Sequence, residues 1–296
     1  METLQVPQSD IMRRHPCFDE AAHDVVGRVH LPVAPRCNIQ CAYCERRICA
    51  NLTMQHPGWA RRLLPPAEAA ALVRRLVRAR PGEGPGDPAP IPFVVGVAGP
   101  GEPLANDETF EALGLVHREF PALTKCVSTN GLLLAQSLPR LLAVGVTALT
   151  VTVNAPDGEV GRRIYTWVRH RGTVYRGQEA AELLIANQLR GIRAALAAGL
   201  AVKVNSVLIP GVNDRHLTRL AYCLQEIGVR LMNIVPLIPA GQMRARRPPA
   251  CDELRQARAD SEVAVPQFRR CEQCRADAVR FPHRAALAPP SRSTAG

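Results

Sequence analysis

The sequence lacks any run of about eighteen apolar residues, the length that a membrane-spanning helix requires, although 47% of its 296 residues are hydrophobic. Its first residues, METLQVPQSDIMRRHPC, include acidic side chains and lack the apolar stretch of a secretory signal peptide. The sequence therefore predicts no membrane partner and no secretion, and we expect a cytoplasmic protein with a large apolar core.

Lysine is almost absent, since Lys125 and Lys203 are the only two, yet the formal net charge is +11 because arginine is abundant. A basic chain often binds nucleic acid. Here the arginines are spread along the sequence, with no basic tail and no basic patch interleaved with aromatic residues. We therefore expect no nucleic acid partner. The charge reflects either an arginine-rich genomic composition or a surface that suits anionic small molecules or metal–sulfur clusters.

Apolar runs alternate with helical patterns along most of the chain. Strands are predicted at 28–35, 93–100, 124–131, 148–156, 201–211 and 230–239, and helices at 65–80, 107–120, 137–145, 177–199 and 214–228, with a loop at 81–90. This alternation is typical of an α/β protein with parallel strands and outer helices. The strands are almost continuously apolar, as expected when both faces are covered. Six such units fit either an open doubly wound sheet or a partial barrel.

Polar residues follow the predicted strands where these end. In both architectures the chemistry belongs at the carboxyl ends of the strands. The residues at these positions are Cys37, Gly101, Glu102, Ser128, Thr129, Asn130, Asn154 and Asn205. Taken singly, each is also explained as a polar group that caps a strand end.

Four regions are predicted along the chain. An N-terminal arm occupies 1–27 and precedes the alternating region at 28–240. An Arg- and Pro-rich extension follows at 241–281, and the tail at 282–296 is expected to be disordered.

Ten cysteines in a reducing compartment are not expected to form disulfides, which leaves metal binding, catalysis or burial. Cys37, Cys41 and Cys44 have the spacing C-x3-C-x2-C directly after the first predicted strand. Thiolates are the usual ligands of iron–sulfur clusters, and three thiolates on a four-iron cluster leave one iron open to a substrate or cofactor. For this loop alone, a structural zinc ion with Cys49 as fourth ligand is the alternative.

The loop, with Tyr43 as the aromatic residue before its third cysteine, resembles the C-x3-C-x-aromatic-C signature of radical S-adenosylmethionine (radical SAM) enzymes. The resemblance implies a partial barrel of six β/α units in which Cys37, Cys41 and Cys44 hold a catalytic [4Fe-4S] cluster. It implies that the amino and carboxylate groups of S-adenosylmethionine (SAM) chelate the open iron. An electron from the cluster then cleaves the sulfonium to a 5′-deoxyadenosyl radical.

A second element of the same family follows the second predicted strand. AGPGEP (98–103) resembles the Gly-Gly-Glu-Pro motif that holds the methionine amino group, with Gly101, Glu102 and Pro103 at the matching positions. Glycines permit close approach of the backbone, and Glu102 is the expected acceptor. The resemblance further implies that the ribose and carboxylate of SAM contact polar residues at later strand ends, namely Ser128, Thr129, Asn154 and Asn205.

The remaining cysteines exceed what one radical cluster needs. Cys271 and Cys274 form a C-x2-C pair, a strong indication of metal binding. Cys126 lies in a strand and would alone be interpreted as a small buried hydrophobic residue. Cys223 and Cys251 fit that description better, and neither is assigned to a site.

Longer segments resemble the NifB family of nitrogenase cofactor maturation. They are HPCFDEAAH, RVHLPVAPRCNIQCAYC, AGPGEPLAN, STNG, VNAPDGEVGRRIYTWV, YRGQEAAELLIANQLRGI, VKVNSVLIPGVND, NIVPLIP and RRCEQCRADAV, and together they run from about residue 11 to 281. The resemblance implies an enzyme that fuses two further [4Fe-4S] clusters, its substrates, while inserting a SAM-derived carbide and one more sulfide. The product is an eight-iron precursor of the nitrogenase cofactor.

The same resemblance implies ligands and partners. The expected ligands are, for one substrate cluster, His30, Cys49 and Cys126 and, for the other, Cys17, Cys271 and Cys274. Three ligands per cluster suit a cluster that must be consumed. Without the resemblance, a lone histidine in an apolar strand would be interpreted as a core residue. The implied partners are SAM, an iron–sulfur cluster donor, an electron donor such as ferredoxin or flavodoxin, and a carrier protein that accepts the product.

The segment after the radical SAM loop departs from that family. The family usually spaces its next cysteine one residue further from Cys44 than in CERRIC, and follows it with an Asn-Glu-Ser-Arg-Pro-Gly-like segment where this chain has ANLTMQHPGWARR. Two alternatives therefore stay open. One is a radical SAM enzyme with auxiliary clusters that modifies another small molecule or a peptide. The other is a non-enzymatic iron–sulfur scaffold or carrier that binds no SAM.

Overall fold

A computed structural model describes residues 8–54, 56–78 and 92–282. The strands are β1 (Gly27–His30), β2 (Ile39–Cys41), β3 (Arg47–Ile48), β4 (Trp59–Ala60), β5 (Phe93–Val97), β6 (Lys125–Thr129), β7 (Val146–Thr152), β8 (Tyr165–His170), β9 (Thr173–Tyr175), β10 (Ala201–Leu208), β11 (Met232–Pro236) and β12 (Val279–Arg280). The helices are α1 (Gln8–Arg13), α2 (Glu20–Val25), α3 (Pro66–Arg78), α4 (Asp107–Glu119), α5 (Leu134–Ala143), α6 (Gly158–Gly161), α7 (Gly177–Ala197), α8 (Leu217–Glu226) and α9 (Cys251–Glu262). The loop predicted at 81–90 and all but the first residue of the tail predicted at 282–296 lie outside the described residues.

Seven strands form the main sheet, in the order β11-β10-β7-β6-β5-β1-β12. The first six in that order are mutually parallel, and the short β12 runs antiparallel to β1. From β1 to β11 the parallel strands follow one another in chain order, without the reversal that defines a doubly wound sheet. The predicted partial barrel of six β/α units is confirmed, and the doubly wound alternative is wrong.

The largest core lies between this sheet and the helices that connect its strands. β5 is buried along its whole length, as its sequence FVVGV predicts for a strand covered on both faces. α4 buries Phe110, Leu113 and Val116, whose spacing of three residues turns one helical face inward. The helices therefore pack against the outer face of the sheet, and polar residues such as Lys203 and Asn205 lie on its inner face.

The first strand ends earlier than its apolar sequence predicts. β1 stops at His30 rather than at residue 35, because Pro32 has no N–H to give to the ladder. The Leu31 N–H still donates to Gly96 O at 2.8 Å, so the chain remains beside β5 as it leaves the strand. This early exit lets the following segment turn across the open end of the barrel, where it carries the cysteine loop.

Two further elements were not predicted. β2, β8 and β9 form a separate three-stranded antiparallel sheet, and its short strands carry no long alternating pattern. α9 lies in the Arg- and Pro-rich extension, and Ser261 is the residue that it buries. A helix with so little apolar surface has no periodic signal in its sequence.

The N-terminal arm and the C-terminal extension meet on the barrel. Ile11 and Phe18 of the arm and Phe268 of the extension belong to one buried cluster, and Arg270 pairs with Asp24 of α2. Three cysteines border that cluster, Cys17, Cys126 and Cys271. The arm and the extension therefore bring thiols to a cysteine of the third parallel strand. In the described part of the chain, no helix is long and apolar enough to cross a membrane.

Candidate functional site: a cysteine-lined cavity

A cavity of about 310 Å³ opens inside the half-barrel and is bounded by the arm, the strands and the extension. Most of the predicted site residues line it, namely Cys17, His30, Cys37, Cys41, Tyr43, Cys44, Gly101, Glu102, Cys126, Ser128, Thr129, Asn154, Asn205, Cys271 and Cys274. Two predicted residues do not. Pro103 is buried in the 3-10 turn Pro103–Ala105, and Cys49 is exposed just after β3.

The loop with three cysteines is braced by its own polar side chains. Cys41 ends β2, which pairs with β8. The Gln40 amide donates to Cys41 O at 2.9 Å and to Cys44 O at 3.0 Å. Arg46 in turn donates to Gln40 Oε1 at 3.0 Å, and its other terminal nitrogen lies 4.0 Å from Cys44 Sγ. The loop thus holds its shape through side-chain bonds to the backbone carbonyls between the thiols.

The cysteines of this loop are half-buried and lie close enough to affect one another's pKa. Burial, and then the charge of Glu102, raise the pKa of Cys37 to about 11. Burial, and then the neighbouring Cys44 and Cys37, raise the pKa of Cys41 well above its usual value. Metal binding requires the thiolate form. The free loop therefore holds neutral thiols, and iron binding must release their protons.

The glycine-rich turn after β5 is pressed against the segment that precedes Cys37. The Gly101 N–H donates to Ala34 O at 2.6 Å, and the Glu102 N–H donates to Arg36 O at 2.8 Å. A Cβ on Gly101 would collide with the Arg36 carbonyl, so this close approach requires glycine. The contact fixes the turn and the cysteine loop relative to each other.

Glu102 is a buried carboxylate in the cavity wall. Its Oε1 accepts from Thr129 Oγ1 at 2.5 Å and from Leu104 N at 3.0 Å, and its Oε2 accepts from Asn130 N at 2.7 Å. Burial raises the pKa of Glu102 to about 7, although these bonds favour the ionised form. An ammonium group bound beside it would favour ionisation further.

We expect Glu102→Gln to change the pH dependence of stability. Because the pKa of Glu102 is about 7 in the folded chain against 4.5 ordinarily, the folded chain keeps a proton that the unfolded chain loses between these pH values. The unfolding free energy of the wild type, relative to Glu102→Gln, should therefore fall by up to about 3 kcal/mol from pH 4.5 to pH 7 and stay level outside that window.

Urea denaturation of the metal-free chain at a series of pH values measures this difference. Glu108→Gln, at an exposed glutamate that pairs with Arg36, is the matched control for removing a carboxylate. Parallel curves for the wild type and Glu102→Gln between pH 4.5 and pH 7 would contradict the prediction.

The other predicted SAM contacts differ in how many hydrogen bonds their side chains already make within the protein. Asn154 donates from Nδ2 to the Tyr43 hydroxyl at 2.9 Å, and its Oδ1 accepts from Val207 N at 2.8 Å. Asn154 therefore links the cysteine loop to β10. Asn205 accepts from Asn233 through Oδ1 at 3.1 Å.

At the deep end of the cavity, three neighbouring strands bring His30 and Cys126 together. His30 is in register with Gly96, and Gly96 with Cys126. A Cβ on Gly96 would lie 2.9 Å from Cys126 Sγ and 3.3 Å from His30 Cδ2. Glycine therefore leaves open the space between these two side chains. Burial, and then the nearby Cys17, raise the pKa of Cys126 to about 12.

The tautomer of His30 suits it to bind iron. Its Nδ1 lies 2.9 Å from the Arg275 carbonyl, and a carbonyl accepts only from a protonated nitrogen. The proton therefore sits on Nδ1, and Nε2 keeps its lone pair. Burial lowers the pKa of His30, which maintains the neutral form. A carbonyl that orients a histidine in this way is typical of metal sites.

The terminal C-x2-C pair surrounds a charged residue. Glu272, between its two cysteines, bonds Arg28 at 2.5 Å, and Cys274 Sγ lies 3.8 Å from Glu272 Oε2. Arg28 also reaches Cys17 Sγ at 3.7 Å. Burial, partly offset by Arg28, raises the pKa of Cys274 to about 11. One arginine on β1 thus connects the cysteine of the arm with the cysteine pair of the extension.

The donor set fits iron–sulfur clusters. At Gly96, an open space separates an imidazole lone pair from a thiol. Free thiols from four segments also line the same cavity. Both observations match the ligand chemistry of such clusters. Among residues 8–54, 56–78 and 92–282, no three His, Cys, Asp or Glu side chains are arranged to hold a single metal ion. Cluster thiolates bind different irons and stand further apart than the ligands of one ion.

Sequence reasoning missed several residues of the cavity. They are Arg28, Arg46, His56, Lys203 and Glu272. For Arg28 and Lys203 a signal existed, because each is a charged residue within an apolar strand. His56 belongs to the divergent segment after Cys49; it stacks on Trp59 at 4.7 Å. Its inclusion in the cavity depends on tertiary packing.

Comparison with known proteins first defines the class. Residues 91–221 match the family described as the Radical SAM superfamily. Among solved structures, the chain resembles a polyhistidine-tagged anSMEcpe with bound AdoMet, with a TM-score of 0.50 and 16% identity over 72% of this chain and 51% of that chain; the likeness concerns the fold alone. The protein is a radical SAM enzyme, as predicted, and this class uses a [4Fe-4S] cluster and S-adenosylmethionine.

Curated relatives then define the family. The chain is 45% identical over 269 residues to the FeMo cofactor biosynthesis protein NifB of Methanocaldococcus jannaschii, covering 91% of this chain and 86% of that protein. It is 41% identical over 279 residues to the NifB of Klebsiella pneumoniae, covering 92% of this chain and 57% of that protein. The chain belongs to the NifB family, and the resemblance stated from its sequence is confirmed.

Proposed function

We propose that this protein joins two [4Fe-4S] clusters into the eight-iron precursor of the nitrogenase cofactor, inserting a carbide derived from the SAM methyl group and one sulfide. The observation that carries the proposal is that the radical SAM loop and a second set of metal-binding residues line the same cavity. That second set is Cys17, His30, Cys126, Cys271 and Cys274. These residues provide ligands for further clusters beside the loop, and the formation of eight-iron product distinguishes this function from that of a radical SAM enzyme whose auxiliary clusters serve another substrate.

At the loop, Cys37, Cys41 and Cys44 hold the catalytic cluster, which when bound supplies the electron that cleaves SAM. Gln40 keeps the loop in shape through its bonds to the Cys41 and Cys44 carbonyls, and Arg46 holds the Gln40 side chain in place. Their contribution is positional, because their polar groups are directed at the loop itself.

The SAM amino group binds Glu102 in this proposal. Burial beside Thr129 and Asn130 gives this carboxylate a fixed orientation, and a charge-assisted bond to an ammonium group is strong in such surroundings. Ser128 and Asn205 contact the ribose and carboxylate from the inner face of the sheet. Asn154 supports Tyr43.

The substrate clusters occupy the deeper part of the cavity. Cys17, Cys271 and Cys274 hold one of them beside Arg28, and His30 and Cys126 hold the other across Gly96. Cys49 is the proposed third ligand of the latter, although it is exposed. The next residue, Ala50, lines a second pocket together with His30. Cys49 would have to turn inward when the cluster binds.

Other proteins complete the reaction. A cluster donor loads the two substrates, an electron donor such as ferredoxin or flavodoxin reduces the catalytic cluster, and a carrier accepts the precursor. We assign the reaction to the cytoplasm because all ten cysteines are free thiols.

Anaerobic reconstitution tests the proposal through three readouts on one sample, namely iron per chain, 5′-deoxyadenosine formed from SAM, and extractable eight-iron product. We expect about twelve irons, since three four-iron clusters are bound, together with SAM cleavage and product. About four irons with cleavage and no product would instead support a radical SAM enzyme for another substrate. Iron without cleavage would support a scaffold.

A further inference from the structure

Lys203 is a buried lysine on the inner face of the half-barrel, only 2% exposed. Its Nζ lies 5.1 Å from the ring centroid of Phe18 and 5.0 Å from that of Phe268. Within the described residues it donates a single hydrogen bond, to Cys17 O at 2.6 Å. An ammonium group has three N–H donors. Two of them are therefore left for the cavity that Lys203 lines.

The other lysine of the chain is fully bonded. Lys125 on β6 donates to the carbonyls of Phe120 at 3.2 Å, Pro121 at 3.1 Å and Leu123 at 2.5 Å. These three bonds use all its donors and close the turn that follows α4. Lys125 is also buried, but it is not part of the cavity lining. It therefore stabilises the fold, and Lys203 differs from it in having donors to spare.

The charge of Lys203 is also uncompensated. Arg28, a cation in the same cavity, pairs with Glu272 at 2.5 Å. In the part of the chain that the structure describes, no carboxylate forms such a pair with Lys203. An unpaired buried charge is unfavourable, and the two aromatic rings offset it only in part. An anion in the cavity would complete the pairing.

His15 contributes a second unused donor beside Lys203. It is 2% exposed and lines the cavity. Its Nδ1 accepts from the Cys17 N–H at 3.1 Å, so the ring proton of the neutral form sits on Nε2. That Nε2 is buried without a hydrogen-bond partner. His15 therefore has the opposite tautomer to His30: its Nε2 carries a proton, whereas the Nε2 of His30 carries a lone pair.

Both donors lie where the two predicted substrate-cluster sites meet. Lys203 holds the backbone of Cys17, a proposed ligand of one cluster. Cys126, a proposed ligand of the other, is in register with Ala148 on β7, which is in register with Ala201. Lys203 is two residues beyond Ala201 and so lies on the same face, one layer further along the barrel.

We propose that Lys203 and His15 form a donor pair that bonds the facing sulfides of the two substrate clusters and offsets the repulsion between these anions. This inference rests on the proposed function. Each cluster is held by at most three protein ligands, so bonds to its sulfides add to its retention. A positive charge and N–H donors also favour the reduced, more negative state of a cluster and raise its reduction potential.

The two lysines provide a matched test, Lys203→Met against Lys125→Met. Each variant is built in a chain that also carries Cys37→Ala, Cys41→Ala and Cys44→Ala, so that only the deeper clusters contribute signals. Redox titration followed by electron paramagnetic resonance, without SAM, gives their midpoint potentials, and a ferrous chelator gives the rate of iron loss. We expect Lys203→Met to lower the potential and to speed iron loss about tenfold, and Lys125→Met to leave both unchanged.

Two substitutions at His15 separate its donor from its structural role. His15→Asn keeps an acceptor near the position of Nδ1 for the Cys17 N–H but removes the far donor, whereas His15→Gln places an amide N–H near the position of Nε2. We expect His15→Asn to lower the potential and His15→Gln to stay close to the parent.

The outcomes separate this inference from the proposed function. If the parent chain binds about eight irons and neither Lys203→Met nor His15→Asn differs from its control, the donor pair is wrong and the proposed function stands. Equal shifts in Lys203→Met and Lys125→Met would likewise overturn it, because they would reflect a general change in folding. If the parent chain binds no iron at the deeper sites, the proposed function and the inference both fail.

Discussion

Cys41→Ala should lower the rate of SAM cleavage to about one-thousandth of the wild-type rate or less. Cys41 is the half-buried middle cysteine of the loop, and the other two cysteines of the loop are themselves assigned to the cluster, so neither is left to replace it. With two ligands the catalytic cluster is lost or misplaced, and SAM then has no iron to chelate. The deeper sites share no ligand with the loop, so iron should fall by only about four atoms per chain.

The measurement is 5′-deoxyadenosine formed per chain under strictly anaerobic reduction, with iron counted in the same sample. Cys251→Ala is the matched control, because Cys251 is an exposed cysteine at the start of α9 and does not line the cavity. It should cleave SAM within about twofold of the wild type. Cleavage by Cys41→Ala at more than about a tenth of the wild-type rate would contradict the assignment of the loop.

Cys271→Ala should separate SAM cleavage from precursor formation. Cys271 belongs to the C-x2-C pair and packs against the buried cluster formed by the arm and the extension. Arg28 connects this pair to Cys17, because it contacts Cys17 Sγ and bonds Glu272, which lies between the two cysteines. Removing it leaves one substrate cluster with two ligands, while the loop and the Glu102 turn are untouched. We therefore expect SAM cleavage within about tenfold of the wild type and eight-iron product reduced to about a hundredth or less.

Cys223→Ala provides the control for this second prediction, since Cys223 is a half-buried cysteine of α8 outside the cavity lining. Product is extracted anaerobically and quantified by its iron content and spectrum, with deoxyadenosine measured in parallel. Undiminished product from Cys271→Ala would show that the C-x2-C pair does not hold a substrate cluster. Loss of cleavage together with product would mean that the pair supports the radical site instead.

Local sequence patterns predicted the fold well, and they also indicated the three-cysteine loop. Strands such as FVVGV are covered on both faces, so their continuous apolar sequence is enough to identify them. Two other features are likewise short-range, because each lies within one loop or one turn. They are the spacing of Cys37, Cys41 and Cys44 and the glycine at position 101. The predicted strands also follow one another along the chain in the same order as the parallel strands of the sheet.

The sequence did not predict elements that depend on contacts with distant parts of the chain. α9 buries little of its surface, and β2 is three residues long and exists because β8 pairs with it. The end of β1 was misplaced because a proline in an apolar run outweighs the hydrophobic pattern at that point. Boundaries of this kind depend on contacts with distant parts of the chain, which the local sequence does not indicate.

By itself, the sequence determined the half-barrel, the family and the three thiols of the loop, since each depends on residues close together in the chain. Tertiary structure decided which nitrogen of each histidine is protonated, because the partner of His30 is a carbonyl 245 residues away and that of His15 is a neighbouring N–H. It also decided the different surroundings of the two lysines. Strand register and the docking of the arm and the extension placed Lys203 in the cysteine-lined cavity beside Cys17, whereas Lys125 donates to three carbonyls.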